Sequence, residues 1–155
     1  AAAARASPSE MNVRPAARAD FPAWAGLRRS LWPDEGATPH EAELEGLSDR
    51  DPPYVGFVAE AGGTLVGFIE VAVRNYAQGA DGPAAYVEGI WVEPGHRRPG
   101  VARALLAAAE QWARERGLSH LGSDALLDND LSHQWHRAAG FEEVERLVVF
   151  GKSLG

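Results

Sequence analysis

The chain contains no cysteine. That excludes disulfides, a thiol nucleophile and cysteine-ligated zinc. No apolar run approaches the ~18–20 residues that a membrane-spanning helix needs. An apolar signal segment is lacking too, which points to the cytoplasm. No internal repeat and no linker-like stretch divides the sequence. Positive charge is in short supply: the formal net charge is −7. Nucleic acid is a poor partner for such a chain, because phosphate binding needs a basic patch.

What is present fits one globular domain. The 155 residues are 45% hydrophobic and 24% charged, enough for a genuine core and too apolar for disorder. Residues 1–10 are rich in Ala, Ser and Pro without a core pattern, and Met11 follows them. They read as a flexible extension or a leftover of cloning, and residues 11–155 as the single domain. The acids are unevenly spread. Asp34, Glu35, Glu41, Glu43, Glu45, Asp49 and Asp51 stand against Arg50 alone. Such a run is either a solvated set of helix faces or a surface that gathers a polycationic small molecule.

Periodicity gives the elements. Met11 to Arg14 predicts a short strand. Asp20 is placed to cap a helix over Phe21 to Leu31, with Trp24, Leu27 and Leu31 at helical spacing. Thr38-Pro39-His40-Glu41 reads as a capping box opening a second helix to about Leu47. Tyr54–Glu60 and Thr64–Arg74, separated by Ala61-Gly62-Gly63, predict an antiparallel hairpin. Ala84–Val92 predicts another strand. Gly100–Arg116 is a long helix with Val101, Leu105, Ala108 and Trp112 on one stripe, stopped by Gly117. Leu118–Ser123 predicts a strand, Asp130–Ala138 a short helix, and Phe141–Lys152 a final strand with Val144, Leu147 and Val149 alternating.

The densest signal lies at Gly89-Ile90-Trp91-Val92-Glu93-Pro94-Gly95-His96-Arg97-Arg98-Pro99-Gly100-Val101-Ala102. An apolar strand enters a turn that opens the long helix. Amides at a helix start lack partners, and the helix dipole makes that end positive. Gly100 and Ala102 let an anion approach the backbone, and Arg97 and Arg98 add charge. Pro99 has no N–H and removes one donor. The turn is therefore suited to wrapping a phosphate; as an ordinary strand-to-helix connection it would need none of this.

This turn resembles motif A of the GCN5-related N-acetyltransferases (the GNAT superfamily), Arg/Gln-x-x-Gly-x-Gly/Ala. Four further blocks resemble its aminoglycoside 6′-N-acetyltransferase branch: Arg28-Arg29-Ser30-Leu31-Trp32-Pro33, Glu88-Gly89-Ile90-Trp91-Val92, Gly122-Ser123-Asp124, and His136-Arg137-Ala138-Ala139-Gly140-Phe141-Glu142-Glu143-Val144-Glu145-Arg146. The resemblance covers about Met11 to Phe150. It implies an α/β fold, with a mixed, mostly antiparallel, V-shaped sheet flanked by helices. It implies an acetyl-CoA-dependent enzyme acting on the 6′-amine of aminoglycosides, with no metal, and a homodimer, since relatives often pair.

The resemblance also implies site residues. Main-chain groups of Ile90, Trp91 and Val92 would meet the pantetheine arm. Arg97, Arg98, Pro99, Gly100, Val101, Ala102 and Arg103 would surround the pyrophosphate, and Asn129 would lie near pantetheine. Trp32, Tyr76, Glu88, Asp124 and Glu145 would contact the substrate. The aromatics cover sugar faces and the carboxylates pair with ammonium groups. Each has a plainer reading: Trp32 as the closure of its helix, Tyr76 as a loop residue, Glu145 as the wet face of a strand, Asp124 as a cap, Asn129 as an N-cap. Glu88 stands among apolar neighbours, where a carboxylate needs a purpose. It is the candidate for accepting the amine proton. Many superfamily members have Tyr where this chain has His136. His136 is then either the acid that protonates the leaving thiolate or a hydrogen-bonded helix histidine. Ala125-Leu126-Leu127-Asp128 is more apolar than the usual Ser/Pro-rich loop. Two other functions remain open at this point: a GNAT enzyme acting on a polyamine or a protein N-terminus, and a non-catalytic acetyl-CoA-binding module.

Overall fold

The computed structural model describes residues 11–34, 36, 38–97 and 100–155. Residues 1–10, read above as an extension, lie outside that set, as do Arg98 and Pro99 of the expected phosphate turn. Among the described residues, five strands form one sheet in the order β1-β2-β3-β4-β5. They are β1 (Met11–Pro15), β2 (Tyr54–Ala61), β3 (Thr64–Arg74), β4 (Ala84–Val92) and β5 (Leu121–Gly122). The first four pair antiparallel, and β4 pairs with β5 in parallel. The helices are α1 (Phe21–Leu31), α2 (His40–Glu45), α3 (Val101–Glu115) and α4 (Asp130–Ala138). This is the mixed, mostly antiparallel α/β sheet expected for a GNAT fold.

The sheet is covered on both faces. On one face, α3 lays Val101, Leu105, Leu106, Ala109 and Trp112 against Ile69, Val71, Ala85, Val87 and Val92. The other face receives α1 and the stretch after it, with Trp24, Leu27, Leu44 and Leu47 around Val58 and Phe68. Strand alternation separates the two sets, since Phe68 and Ile69 are neighbours in sequence yet belong to opposite cores. Gly117 ends α3 at φ +70°. Its N–H reaches Arg114 O at 2.9 Å, and Leu118 N–H reaches Ala113 O at 3.0 Å. That pair of bonds satisfies the last helical carbonyls.

Four local expectations are corrected. Thr38 does not cap α2. The helix begins at His40, behind Pro39, with no side-chain cap bond, and ends at Glu45. Leu47–Asp49 is a separate 3-10 turn. Asp20 stands at the start of α1 but does not cap it. Its carboxylate instead takes Arg14 at 2.7 and 2.9 Å and the Ala17 amide at 2.7 Å. The predicted strand Leu118–Ser123 shortens to Leu121–Gly122, because its pairing is limited to Ala85↔Leu121 and Tyr86↔Gly122. The predicted final strand does not form. Residues 142–155 are exposed and carry no strand assignment. Alternation alone makes no strand: the backbone needs a ladder partner, and the sheet of this chain provides none among the described residues.

Candidate active site

The site is built on β3 and β4. Their register slips between Glu70 and Val71: Glu70 faces Gly89, Val71 faces Val87, and Glu88 is the extra residue. A bulge of this kind re-aims a side chain that plain alternation would place elsewhere. Here it frees Glu88, half-buried, to meet the end of β3. Arg74, the last residue of β3, grips both carboxylate oxygens, Nε to Oε1 at 2.8 Å and Nη2 to Oε2 at 2.7 Å. The same guanidinium lies over the Tyr86 ring, 3.6 Å from its centroid. Glu88 raises the pKa of Arg74 further by accepting its hydrogen bonds.

Tyr86 extends the cluster toward β5. Its phenol donates to Asp124 Oδ2 at 2.7 Å. Burial, then the bond to Asp124, pushes the phenol pKa up. Arg74, Glu88, Tyr86 and Asp124 thus form a chain of contacts joining β3, β4 and the stretch after β5.

Trp32 closes α1, donating its backbone N–H to Arg28 O at 2.7 Å. Its ring stacks on His40 and meets Phe68. A Cβ on Gly89 would sit 2.5 Å from that ring, so glycine is what lets the indole lie directly on β4 beside Glu88. Beneath Trp32 is a buried polar network. Arg28 holds Glu70 at 3.0 Å and Glu43 at 2.9 Å. Tyr54 donates to Glu70 at 2.8 Å. Burial pushes the Glu70 carboxyl up, opposed by Arg28 and Tyr54. The Arg28 guanidinium also lies 5.1 Å from the Trp32 ring. Part of the acidic run is spent here and at the surface, since Glu43 pairs with Arg28 and Glu45 with Arg18.

Beyond Tyr86, β4 has no pairing to β5 among the described residues. Ile90, Trp91 and Val92 therefore line a strand edge open on that side, past the end of the two-residue β5. Past a short 3-10 turn, Gly100 caps α3 without a side-chain bond. Ala104 N–H donates to Gly100 O at 2.9 Å. The amides of Val101, Ala102 and Arg103 precede that bond and face out of the helix start. Arg97 does not reach forward into the turn. It donates to Val92 O at 2.8 Å and covers the Trp91 ring at 4.5 Å.

The remaining expected residues stand apart from this cluster. Tyr76 lies just past Arg74 and is 67% exposed. Asn129 caps α4, its side-chain oxygen accepting from Ser132 N–H at 3.1 Å. His136 is held at both ring nitrogens: Nδ1 by Ser132 O at 2.7 Å, Nε2 by Ser123 Oγ at 2.8 Å. A carbonyl only accepts, so Nδ1 donates to it, and in the neutral ring Nε2 accepts from the serine. Glu145 lies on the exposed C-terminal stretch. Sequence reasoning missed Arg74, Tyr86 and the Arg28–Glu70 pair. For the pair a signal existed: a charge at core spacing in α1 and another inside the apolar run of β3.

Residues 19–141 match the model of the acetyltransferase (GNAT) family. The chain is 42% identical to an aminoglycoside N(6′)-acetyltransferase type 1 of Stenotrophomonas maltophilia, over 94% of this chain and 95% of that protein. It is 36% identical to the same type of enzyme from Salmonella typhimurium, over 92% and 99%. Its fold matches AAC(6′)-Iy in complex with the bisubstrate analogue CoA-S-monomethyl-acetylneamine, with TM-score 0.86 and 35% identity over 92% of this chain and 98% of that one.

Proposed function

The chain belongs to the acetyltransferase (GNAT) family, and from that premise we propose that it transfers acetyl from acetyl-CoA to the 6′-amine of aminoglycosides, directly, within a ternary complex in the cytoplasm. The relatives named above carry this activity in their names. The observation that carries the reading is the cluster of Glu88, Tyr86 and Asp124 beside Trp32, at the point where β4 leaves β5. Two carboxylates and an aromatic wall suit a ligand that is both a sugar and a polycation.

Acetyl-CoA supplies the activated acetyl group. The helix start at Gly100 to Arg103 fits its pyrophosphate, since those amides face outward at the positive end of α3. The open edge at Ile90 to Val92 fits its amide-rich arm, which can add to β4 like a strand. A backbone N–H there is suited to a developing oxyanion. On the other side of the cleft, Asp124 holds a substrate ammonium and Trp32 covers a sugar face. Glu88 takes the proton that the attacking nitrogen sheds, directly or through a water. His136, bound at both nitrogens, keeps the stretch after β5 tied to α4. Tyr76 and Glu145 are further substrate contacts in this reading, and Asn129 lies near the pantetheine arm.

The protein is a homodimer in the same reading. Support comes from residues 144–150, where Val144, Leu147, Val148, Val149 and Phe150 are exposed and lack a strand partner among the described residues. A light-scattering mass of one chain would contradict it. The activity itself is tested by initial rates with kanamycin and acetyl-CoA varied together. Intersecting lines and an unmodified protein mass support direct transfer. No turnover of kanamycin overturns the activity, and an acetylated protein formed at the catalytic rate overturns the direct route.

A further inference from the structure

Arg74 sets a positive charge between the two carboxylates, Glu88 and Asp124. A site for polycations holds a cation of its own at its centre. Its guanidinium is held by two short bonds to Glu88 and by the face of Tyr86. The charged and titratable groups facing this spot are few. Glu88 and Tyr86 come from β4, Arg74 from β3 and Asp124 from beyond β5. Tyr54 of β2 stands behind, and its neighbour Glu70 is matched by Arg28. Two carboxylates thus meet the substrate in different states. Glu88 is paired with Arg74 through both oxygens. Asp124, among the described residues, is hydrogen-bonded to a neutral phenol and meets Arg74 only through space.

That asymmetry matches what acetyl transfer asks of two amines. One must stay charged to anchor the ligand, and the reacting one must lose its charge to attack. A bare carboxylate would hold the reacting nitrogen as ammonium and so oppose the reaction. A neighbouring cation does the reverse. We propose that Arg74 is a further functional residue of the acetyl transfer, whose guanidinium cancels the field of Glu88 and disfavours the ammonium form of the amine docked there. The inference rests on the reading that places the reacting amine at Glu88. The balance is simple. The ammonium releases one proton to water on docking. The nitrogen then forms the N–C bond as C–S breaks, its second proton leaves through Glu88 or water, and the thiolate takes one proton to become CoA thiol.

The test is the pH dependence of kcat and KM for kanamycin in Arg74→Gln, Arg74→Met and Arg74→Lys, with acetyl-CoA KM as the control for an intact fold. Both charge-free variants should move the acidic limb of kcat upward by about 0.5–1 pH unit, the size expected for a unit charge about 4–6 Å away that water screens, as it does the part-exposed Arg74. Their KM for kanamycin at acidic pH should not rise, and kcat should recover at alkaline pH. Arg74→Lys keeps the charge and should keep the limb. Repeating Arg74→Gln in a Glu88→Gln background separates the amine from Glu88 as the titrating group, and the upward shift should persist there. A kcat lowered by one factor at every pH, or a shift that vanishes in the Glu88→Gln background, overturns the proposal. If Glu88→Gln alone changes neither kcat nor KM, it is the placement of the amine that fails.

Discussion

The indole of Trp32 occupies the space that a side chain on Gly89 would need, with ring atoms 2.5 Å from the position of a Cβ. One residue ends α1 and the other lies in β4 directly after Glu88, so this contact sets how far the aromatic wall stands from the carboxylate. Gly89→Ala should push the indole off the strand. The ring is rigid and already packed on His40 and Phe68, so the move costs about 1–3 kcal/mol. Thermal unfolding should show that loss, and KM for kanamycin should rise. A variant with unchanged melting and unchanged KM would refute the role given to Trp32.

The Arg28–Glu70 pair is buried on both sides. Arg28→Met removes the partner of a carboxylate that cannot reach water, at a cost of about 3–5 kcal/mol. The double variant Arg28→Met, Glu70→Leu removes both charges and should recover most of it. Denaturant melts of the three proteins check this, and equal losses in the single and double variants would contradict it.

Asp20 governs part of the acid sensitivity. The bond from Arg14 holds its carboxyl below the ordinary value of 3.8. A depressed carboxylate contributes stability above its unfolded pKa and loses it as pH falls through the folded one. Stability should therefore decline below about pH 4, the unfolded value for aspartate. Asp20→Asn should be less stable at neutral pH and flatter along that acidic arm. An arm of unchanged slope in Asp20→Asn would mean that other groups carry it.

Asp124→Asn keeps the shape and still accepts from the Tyr86 phenol, so the fold should hold. What it loses is the charge offered to a substrate ammonium. An exposed pair contributes about 0.2–1 kcal/mol and a desolvated one several. KM for kanamycin should rise by at least several-fold while KM for acetyl-CoA stays put. Equal KM values for kanamycin in both proteins would make Asp124 structural.

Local pattern made much of this molecule legible from its residues. The bounds of α1, β3, β4 and α4 follow from spacing, because amphipathic periodicity and turn residues are written in neighbouring positions. The start of α3 at Gly100 was readable for the same reason. Pairing across the fold was not. Nothing near Arg74 indicates that a bulge at Glu88 will bring the two together. Asp20 looks like a helix cap until Arg14, arriving from β1, claims its carboxylate. Residues 141–152 are as rich in Val and Phe as a strand, yet a strand is defined by its partner, and a single sequence does not say where that partner lies.

The most direct test of the account is where the acetyl group lands. Kanamycin treated with the protein and acetyl-CoA, and the product examined by NMR, should show a single new acetamide on the 6′-nitrogen, while the analogue with a 6′-hydroxyl should be returned unchanged. Acetylation at any other amine, or turnover of the 6′-hydroxyl analogue at a comparable rate, would contradict a site built to present that one nitrogen beside Glu88.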